Sequence, residues 1–271
     1  MAKIHSIIAR FEELAMRFEE IQKFLDHIPY TAEMRASSTV PERGRVIYQH
    51  IRQHKPLSVL ELGIGYGVGS CYMAAALHEN HAGHLTCVDL VDAPYSPSAE
   101  ELLNKTKLDP YVYIYREKLS YTWFLKKRIE QRTTPDGICE PEFDMCFIDG
   151  PKDWTIDGAA FFMVDKLMKE GGWIIFDDYD WVQDSHPLNK QPNYDGKIQE
   201  ESTQPHVEAI FRLLVTQHPN YGEFQIDGNR WAWAQKVHSD TRTIRLTYTP
   251  SFRYTMSKRL RSLYQRLRST K

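Results

Sequence analysis

No uninterrupted apolar run in this chain approaches the ~18 residues that a membrane-spanning helix requires. Cysteine is scarce. The four thiols, Cys71, Cys87, Cys139 and Cys146, form no CxxC pair, and three of them sit in apolar runs. That speaks against a disulfide framework or a cysteine-built zinc site and points to reduced thiols in a cytoplasmic protein. Glu12, Glu13, Glu19 and Glu20 crowd the N-terminal stretch, which therefore reads neither as a secretory signal nor as an acid-poor transit peptide. An excess of one charge is missing as well. Lys and Arg number 34 against 36 Asp and Glu, a formal net charge of −2, which argues against a protein that coats nucleic acid with its whole surface. Internal repeats and low-complexity tracts are absent too. What remains, 271 residues at 42% hydrophobic and 26% charged, is ordinary for a globular protein. The length suits one domain of ~250 residues, or a core with terminal extensions.

Three regions follow from the pattern. Residues 1–39 form an N-terminal extension in which Ile4, Ile7, Phe11, Leu14, Phe18, Ile21, Leu25 and Ile28 recur at steps of three and four. That seam predicts one helix over 3–28, stopped by Pro29. Its stripe docks on the protein's own core or serves self-association. Residues 40–236 alternate helix and strand, with strands at 58–62, 85–89, 112–115, 143–149 and 173–176 and helices over 41–54, 70–78, 119–132, 157–169 and 206–217. The last helix segment before the fifth strand is expected to end at Gly171-Gly172. A polar stretch over 183–205 reads as a loop long enough for a lid. The segments 223–227 and 230–236, joined by Gly228-Asn229, read as a β-hairpin. This order predicts a mostly parallel α/β sheet closed by an antiparallel hairpin.

The turn between the first strand and its helix reads Glu61-Leu-Gly-Ile-Gly-Tyr-Gly67. Glycines there permit a sharp turn and close ligand approach, beside free N–H groups at a helix start. The dinucleotide fingerprint GxGxxG fails, because Val68 and Ser70 occupy its third position in the two registers. The arrangement acidic-x-Gly-x-Gly-x-Gly instead resembles the first motif of class I S-adenosylmethionine-dependent methyltransferases. The resemblance implies that Gly63, Gly65 and Gly67 admit the methionine half of the cofactor, with Glu61 near its ammonium. Asp89, at the end of the second strand, then accepts from the ribose hydroxyls, as the two oxygens of a carboxylate allow.

Further strand ends carry Asp149, Asp177 and Asp178, and in a parallel sheet these ends share the ligand-binding edge. Converging carboxylates repel one another unless a cation joins them, and Mg²⁺ or another hard divalent ion takes such oxygen ligands. Asp149-Gly-Pro-Lys152-Asp153 resembles the Asp-x-x-Lys-Asp segment of the catechol and caffeoyl-CoA O-methyltransferases. Asp177-Asp178-Tyr-Asp-Trp181 resembles their second metal segment, except that position 178 is Asp where the caffeoyl-CoA group has Asn. Phe176-Asp-Asp-Tyr179 looks more like sugar O-methyltransferases of the macrocin type. The resemblance covers roughly 40–236. It implies a Rossmann-like methyltransferase fold with a seven-stranded sheet, and metal-assisted transfer to a hydroxyl of a phenol, sugar or natural product. Asp149, Asp177 and Asp178 would hold the metal and Lys152 would act as base, its pKa lowered by burial and the metal. Alternatively Lys152 pairs with Asp153 at the surface, and Asp178 caps a helix. His186 and His206 are weaker candidates for the base, and Tyr179, Trp181 and Tyr194 could wall a planar substrate.

Residues 237–271 form a basic tail. From Lys236 onward ten Lys and Arg face one acid, Asp240, a sum of +9 that leaves −11 for residues 1–235. Met256, Leu260, Leu263 and Leu267 predict an amphipathic helix within it. An anionic membrane surface, RNA, an acidic partner or a second subunit would suit it, so a homodimer through the terminal helices and peripheral membrane contact are both expectations. An RNA methyltransferase and a non-catalytic scaffold are the competing functions. Ile148-Asp-Gly-Pro151 stands where amine-methylating enzymes carry an Asp/Asn-Pro-Pro-Tyr motif, which weighs against the first.

Overall fold

Apolar strands buried on both faces dictate the centre of the molecule. A computed structural model describes residues 15–27, 34, 38–92, 95–182, 203–228 and 230–239. Its strands are β1 (Ser58–Leu62), β2 (His84–Leu90), β3 (Val112–Glu117), β4 (Phe143–Ile148), β5 (Met168–Phe176), β6 (Tyr221–Asp227) and β7 (Trp231–Lys236). They form one sheet in the order β3-β2-β1-β4-β5-β7-β6. β1 to β5 are parallel, and β7 runs antiparallel between β5 and β6. This is the mixed seven-stranded sheet that the sequence predicts.

The period of two along each strand sorts side chains between two layers. Val59, Met145 and Phe147 enter one core, while Leu60, Leu62, Cys146 and Ile148 enter the other. The first layer contains α1 (Phe18–Asp26), α2 (Pro41–His54), α3 (Val68–Asn80) and α4 (Ala99–Thr106). Covering the opposite face are α5 (Tyr121–Arg132), α6 (Trp154–Leu167) and α7 (His206–Ile210), the last continuing as a π-helical turn over Phe211–Val215. Among the described residues no helix is long and apolar enough to cross a membrane. All four cysteines are free thiols, three of them buried.

Four expectations need correction. The N-terminal helix is not continuous from 3 to 28. Residues 15–17 are non-helical, Met16 N donates to the Thr106 carbonyl at 3.0 Å, and the Glu20 carboxylate caps the Arg17 N–H at 2.8 Å. A backbone donor spent on a tertiary partner cannot also continue the helix. From Phe18 the stripe docks inward: Phe18, Ile21 and Leu25 are buried, and the Phe18 ring lies 4.9 Å from those of both Tyr48 and Tyr72. Next, α4 falls in a stretch the periodicity passed over. Its signal was a capping box, in which Ser98 Oγ accepts from Glu101 N while Glu101 accepts from Ser98 N. Third, α6 ends at Leu167, and Met168–Gly172 joins the sheet as an irregular start of β5, the register slipping between Phe143 and Met145. Last, the helix expected over 206–217 is α-helical only to Ile210. Residues 1–14, most of the expected lid and the tail beyond Ser239 lie outside the described residues.

α2 seals the sheet near β5 and β7 with histidine. His50 stacks on His54 at 4.2 Å and leans on Trp173 and Trp233. Burial, helped by the His54 charge, pushes its pKa down to about 4. The folded state therefore refuses a proton that the unfolded chain accepts near pH 6.5. Stability should fall by about 1.4 kcal/mol per pH unit as pH drops from 6.5 towards 4. Urea unfolding at pH 7.5, 6 and 5 checks this, and His50→Gln should flatten that part of the slope; an unchanged slope would refute it.

Candidate active site

The strand order reverses direction between β1 and β4, which opens a crevice beyond their carboxyl ends. Backbone bonds extend past those ends in steps across the sheet. Gly63 N donates to Val88 O, Asp149 N to Leu62 O and Asp177 N to Ile148 O, at 2.8–3.0 Å. The glycine loop and the acidic strand ends are thus parts of one rim.

Gly63 and Gly67 are required by the fold. Both have left-handed backbones, at φ 90° and 82°. A Cβ on Gly63 would overlap the Asp149 carbonyl oxygen, and one on Gly67 would lie 2.6 Å from Ala99 Cβ at the start of α4. Gly65 shares the positive φ, at 56°. Glu61 lies beneath the loop and is almost fully buried. Its Oε2 accepts from Ser70 Oγ and from Cys87 Sγ, and burial pushes its pKa up to about 8, with Asp149 and Asp89 adding to the rise. An acid so placed is poised to ionise when a cation arrives. Ser38 Oγ, next to the Thr39 side chain that packs on Gly69, is buried without a hydrogen-bond partner among the described residues.

Asp89 holds the loop itself. Its Oδ2 accepts from Ile64 N at 2.9 Å and Gly65 N at 3.0 Å, and its Oδ1 accepts from Leu90 N at 2.7 Å. Part of its acceptor capacity is therefore already used by backbone. Beside it Val91 N bonds to Glu117 O, and a cleft of about 390 Å³ opens at the end of β3. Arg116, Glu117, Lys118, Leu119, Trp123 and Lys127 line that cleft, which no sequence motif announced.

Asp149, Asp177 and Asp178 converge so that one carboxylate oxygen of each lies within 4.8 Å of the others. Lys152 enters the cluster rather than the surface. Its buried ammonium donates to Asp149 Oδ1 and lies 3.8 Å from Asp178 Oδ2. Burial opposes its charge, but Asp149, Asp178 and Asp177 outweigh that and hold its pKa above the ordinary lysine value. The expected downward shift is thus reversed while the three carboxylates carry their charges. Asp153 does not pair with Lys152; it caps α6, its Oδ1 accepting from Thr155 N and Ile156 N at 2.8 Å each. Asp177 is pushed well above the usual carboxylate range by burial and then by Asp149 and Asp178, against the pull of Lys152 and Arg43. It also accepts from the Trp231 indole. Lys152 and Asp178 both adopt left-handed backbones, at φ 59° and 54°, strain of a kind that clusters at functional sites.

Support comes from below. Tyr121 donates to Asp157, whose second oxygen accepts from Asp153 N at 2.9 Å, and Gly150 packs directly on this pair. Burial first, opposed by the Tyr121 hydroxyl, sets Asp157 at about 6. Arg43, from the first turn of α2, and Arg230, from the hairpin, also reach the cluster, and neither was singled out in the sequence. Of the weaker candidates, His206 Nδ1 accepts from Trp154 N at 3.3 Å and Tyr179 packs edge-on against Phe211; His186 and Tyr194 lie outside the described residues.

A family model described as a methyltransferase domain matches residues 60–179, the span from β1 to the acidic turn after β5. Over that span the core is similar to a methyltransferase domain. Solved structures share its fold at low identity. An O-methyltransferase from Bacillus cereus in complex with SAH is 18% identical with a TM-score of 0.54, covering 81% of this chain and 90% of that one. TomG of Streptomyces achromogenes, an O-methyltransferase involved in tomaymycin synthesis and solved with SAM, is 15% identical with a TM-score of 0.53, covering 86% and 96%. SAH-bound PaMTH1, a methyltransferase of Podospora anserina, is 14% identical with a TM-score of 0.54, covering 87% and 96%. No curated protein matches the sequence significantly.

Proposed function

We propose that this protein is a methyltransferase that moves the methyl group of S-adenosylmethionine to a hydroxyl oxygen of a small molecule, with a divalent cation such as Mg²⁺ at the acidic cluster. The observation that carries the reading is the buried Lys152 among Asp149, Asp177 and Asp178, at the same rim as the glycine loop. Glu61 and the Gly63–Gly67 turn receive the methionine end, where the rising charge of Glu61 would answer an ammonium. Asp89 faces the ribose, and the exposed Trp123 in the neighbouring cleft offers a face to a planar base.

The three carboxylates suit a hard cation, since all supply oxygen and their mutual repulsion is relieved by positive charge. When bound, that cation lowers the pKa of the acceptor hydroxyl and orients it. The carboxylates sustain the Lys152 ammonium, so neutralising their charge would let it release that proton to solvent, and the resulting amine would take the hydroxyl proton. The oxygen forms its bond to the methyl carbon as the S–C bond breaks, the electron pair stays on sulfur, and the sulfonium becomes a neutral thioether. The reduced thiols of the core fit a cytoplasmic setting.

Calorimetric titration with S-adenosylmethionine, with and without Mg²⁺, tests the reading. Failure to bind the cofactor would sink it, and turnover insensitive to EDTA would remove the metal. Lys152→Ala should lower turnover by about 10²–10⁴-fold while cofactor affinity stays within about twofold. Retained turnover would exclude Lys152 as the base.

A further inference from the structure

Lys152 stands on a loop with few bonds of its own. Asp149 N anchors one end on Leu62 O at 2.8 Å, and Asp153 N anchors the other on Asp157 Oδ2 at 2.9 Å. Between them, among the described residues, neither Gly150 nor Lys152 donates to a backbone carbonyl, and Pro151 has no N–H to give. Lys152 also keeps a left-handed backbone, which its Cβ disfavours. A shape so held persists only when the surroundings impose it.

The surroundings here are a buried pair. Asp157 is 1% exposed, and Tyr121, the first residue of α5, donates to its Oδ1. Gly150 lies against the same two atoms, since a Cβ there would collide with Tyr121 Oη and Asp157 Oδ1. The loop thus rests on the pair at Gly150 and is tied to it at Asp153. The cap of α6 does not need Tyr121. Asp153 Oδ1 already accepts from Thr155 N and Ile156 N, and Asp157 Oδ2 closes the turn onto Asp153 N. The Tyr121 hydroxyl comes from another helix and fixes the rotation of the Asp157 carboxylate, and with it the floor under Gly150.

We propose that Tyr121 and Asp157 are positioning residues for methyl transfer, holding the Gly150–Asp153 turn so that Lys152 Nζ stays beside Asp149 and Asp178, where the acceptor hydroxyl arrives. This role rests on the methyl-transfer reading and is exerted through Lys152, because the pair lies beneath the loop and not in the cluster.

The test compares the full native chain with Tyr121→Phe, which keeps the buried ring and removes the hydroxyl. Acetylation by acetic anhydride, followed lysine by lysine by mass spectrometry, reads how tightly each side chain is held. Lys152 should label about five- to tenfold faster in the variant, the local opening expected from one lost hydrogen bond. Lys236, also buried and ion-paired with Asp165, should label within about twofold of native, because it reports opening of the whole fold. Asp157→Ala should free Lys152 at least as much. Asp157→Asn should stay close to native, since its amide oxygen still accepts from Asp153 N and its nitrogen can donate to Tyr121 Oη. In methyl transfer to catechol with Mg²⁺, Tyr121→Phe should lower kcat about tenfold with KM within about twofold, and that loss should disappear in a Lys152→Ala background. Unchanged labelling of Lys152, an equal rise at Lys236, or a kcat loss that persists without Lys152 overturns the proposal. Failure of the methyl-transfer reading shows separately, as native protein that transfers no methyl group or a Lys152→Ala variant with full turnover, while the labelling contrast still decides whether the pair holds the loop.

Discussion

Asp149→Asn should abolish measurable Mg²⁺ binding and lower methyl transfer about a thousandfold, while leaving S-adenosylmethionine affinity within a few-fold. The substitution keeps the shape of the side chain and removes its charge. It spares the backbone bond from Asp149 N to Leu62 O, so the β1–β4 rim that carries the glycine loop stays in register. What it takes away is one of three converging oxygens and the hydrogen-bonding partner of Lys152. Amide oxygen is a much poorer ligand for a hard dication than carboxylate, and the remaining two acids are no longer a closed set. Calorimetry with Mg²⁺ and a radiolabelled methyl-transfer assay check both halves. Turnover above a tenth of native, or unchanged Mg²⁺ affinity, would remove Asp149 from the metal set.

Gly63→Ala should cost about 3–5 kcal/mol of folding stability, measured by urea unfolding. Two penalties add. The backbone at φ 90° disfavours any side chain, and the new Cβ runs into the Asp149 carbonyl, which is main chain and cannot swing aside. Gly137→Ala separates the two. Gly137 has a comparable φ of 82°, but nothing lies within 4 Å of its missing Cβ, so only the conformational penalty of about 1 kcal/mol applies. Equal losses at the two positions would show that crowding against Asp149 contributes nothing. Because the collision is with the strand end that bears the acid cluster, whatever Gly63→Ala protein folds should also bind cofactor weakly.

Much of the fold was legible because it is written at short range. Ser58–Leu62 and Phe143–Ile148 announce buried strands by their apolar runs, and Gly228 announces the hairpin turn. The misreadings had long-range causes. The heptad seam from Ile4 to Ile28 looked continuous, yet Met16 gives its N–H to Thr106, ninety positions away in the chain. Gly171-Gly172 looked like a helix stop, whereas pairing of Met168 with Phe143 draws the segment into β5. The capping box at Ser98 was a local signal for α4 that periodicity alone does not weigh.

The site divides in the same way. Sequence by itself determined which strand ends carry acids, that a glycine turn follows β1, and that Lys152 stands three residues after Asp149, because strand ends of a parallel sheet must meet at one edge. Only the tertiary structure decided that Arg43 and Arg230 join that edge, that Asp89 spends acceptors on the loop, and that Lys152 is an ammonium in a ring of carboxylates rather than a surface cation. Those outcomes depend on how α2 and the β6–β7 hairpin pack around the rim. Electrostatic energy sums over distance in space, and the distance between residues 43, 178 and 230 is set by packing rather than by their order in the chain.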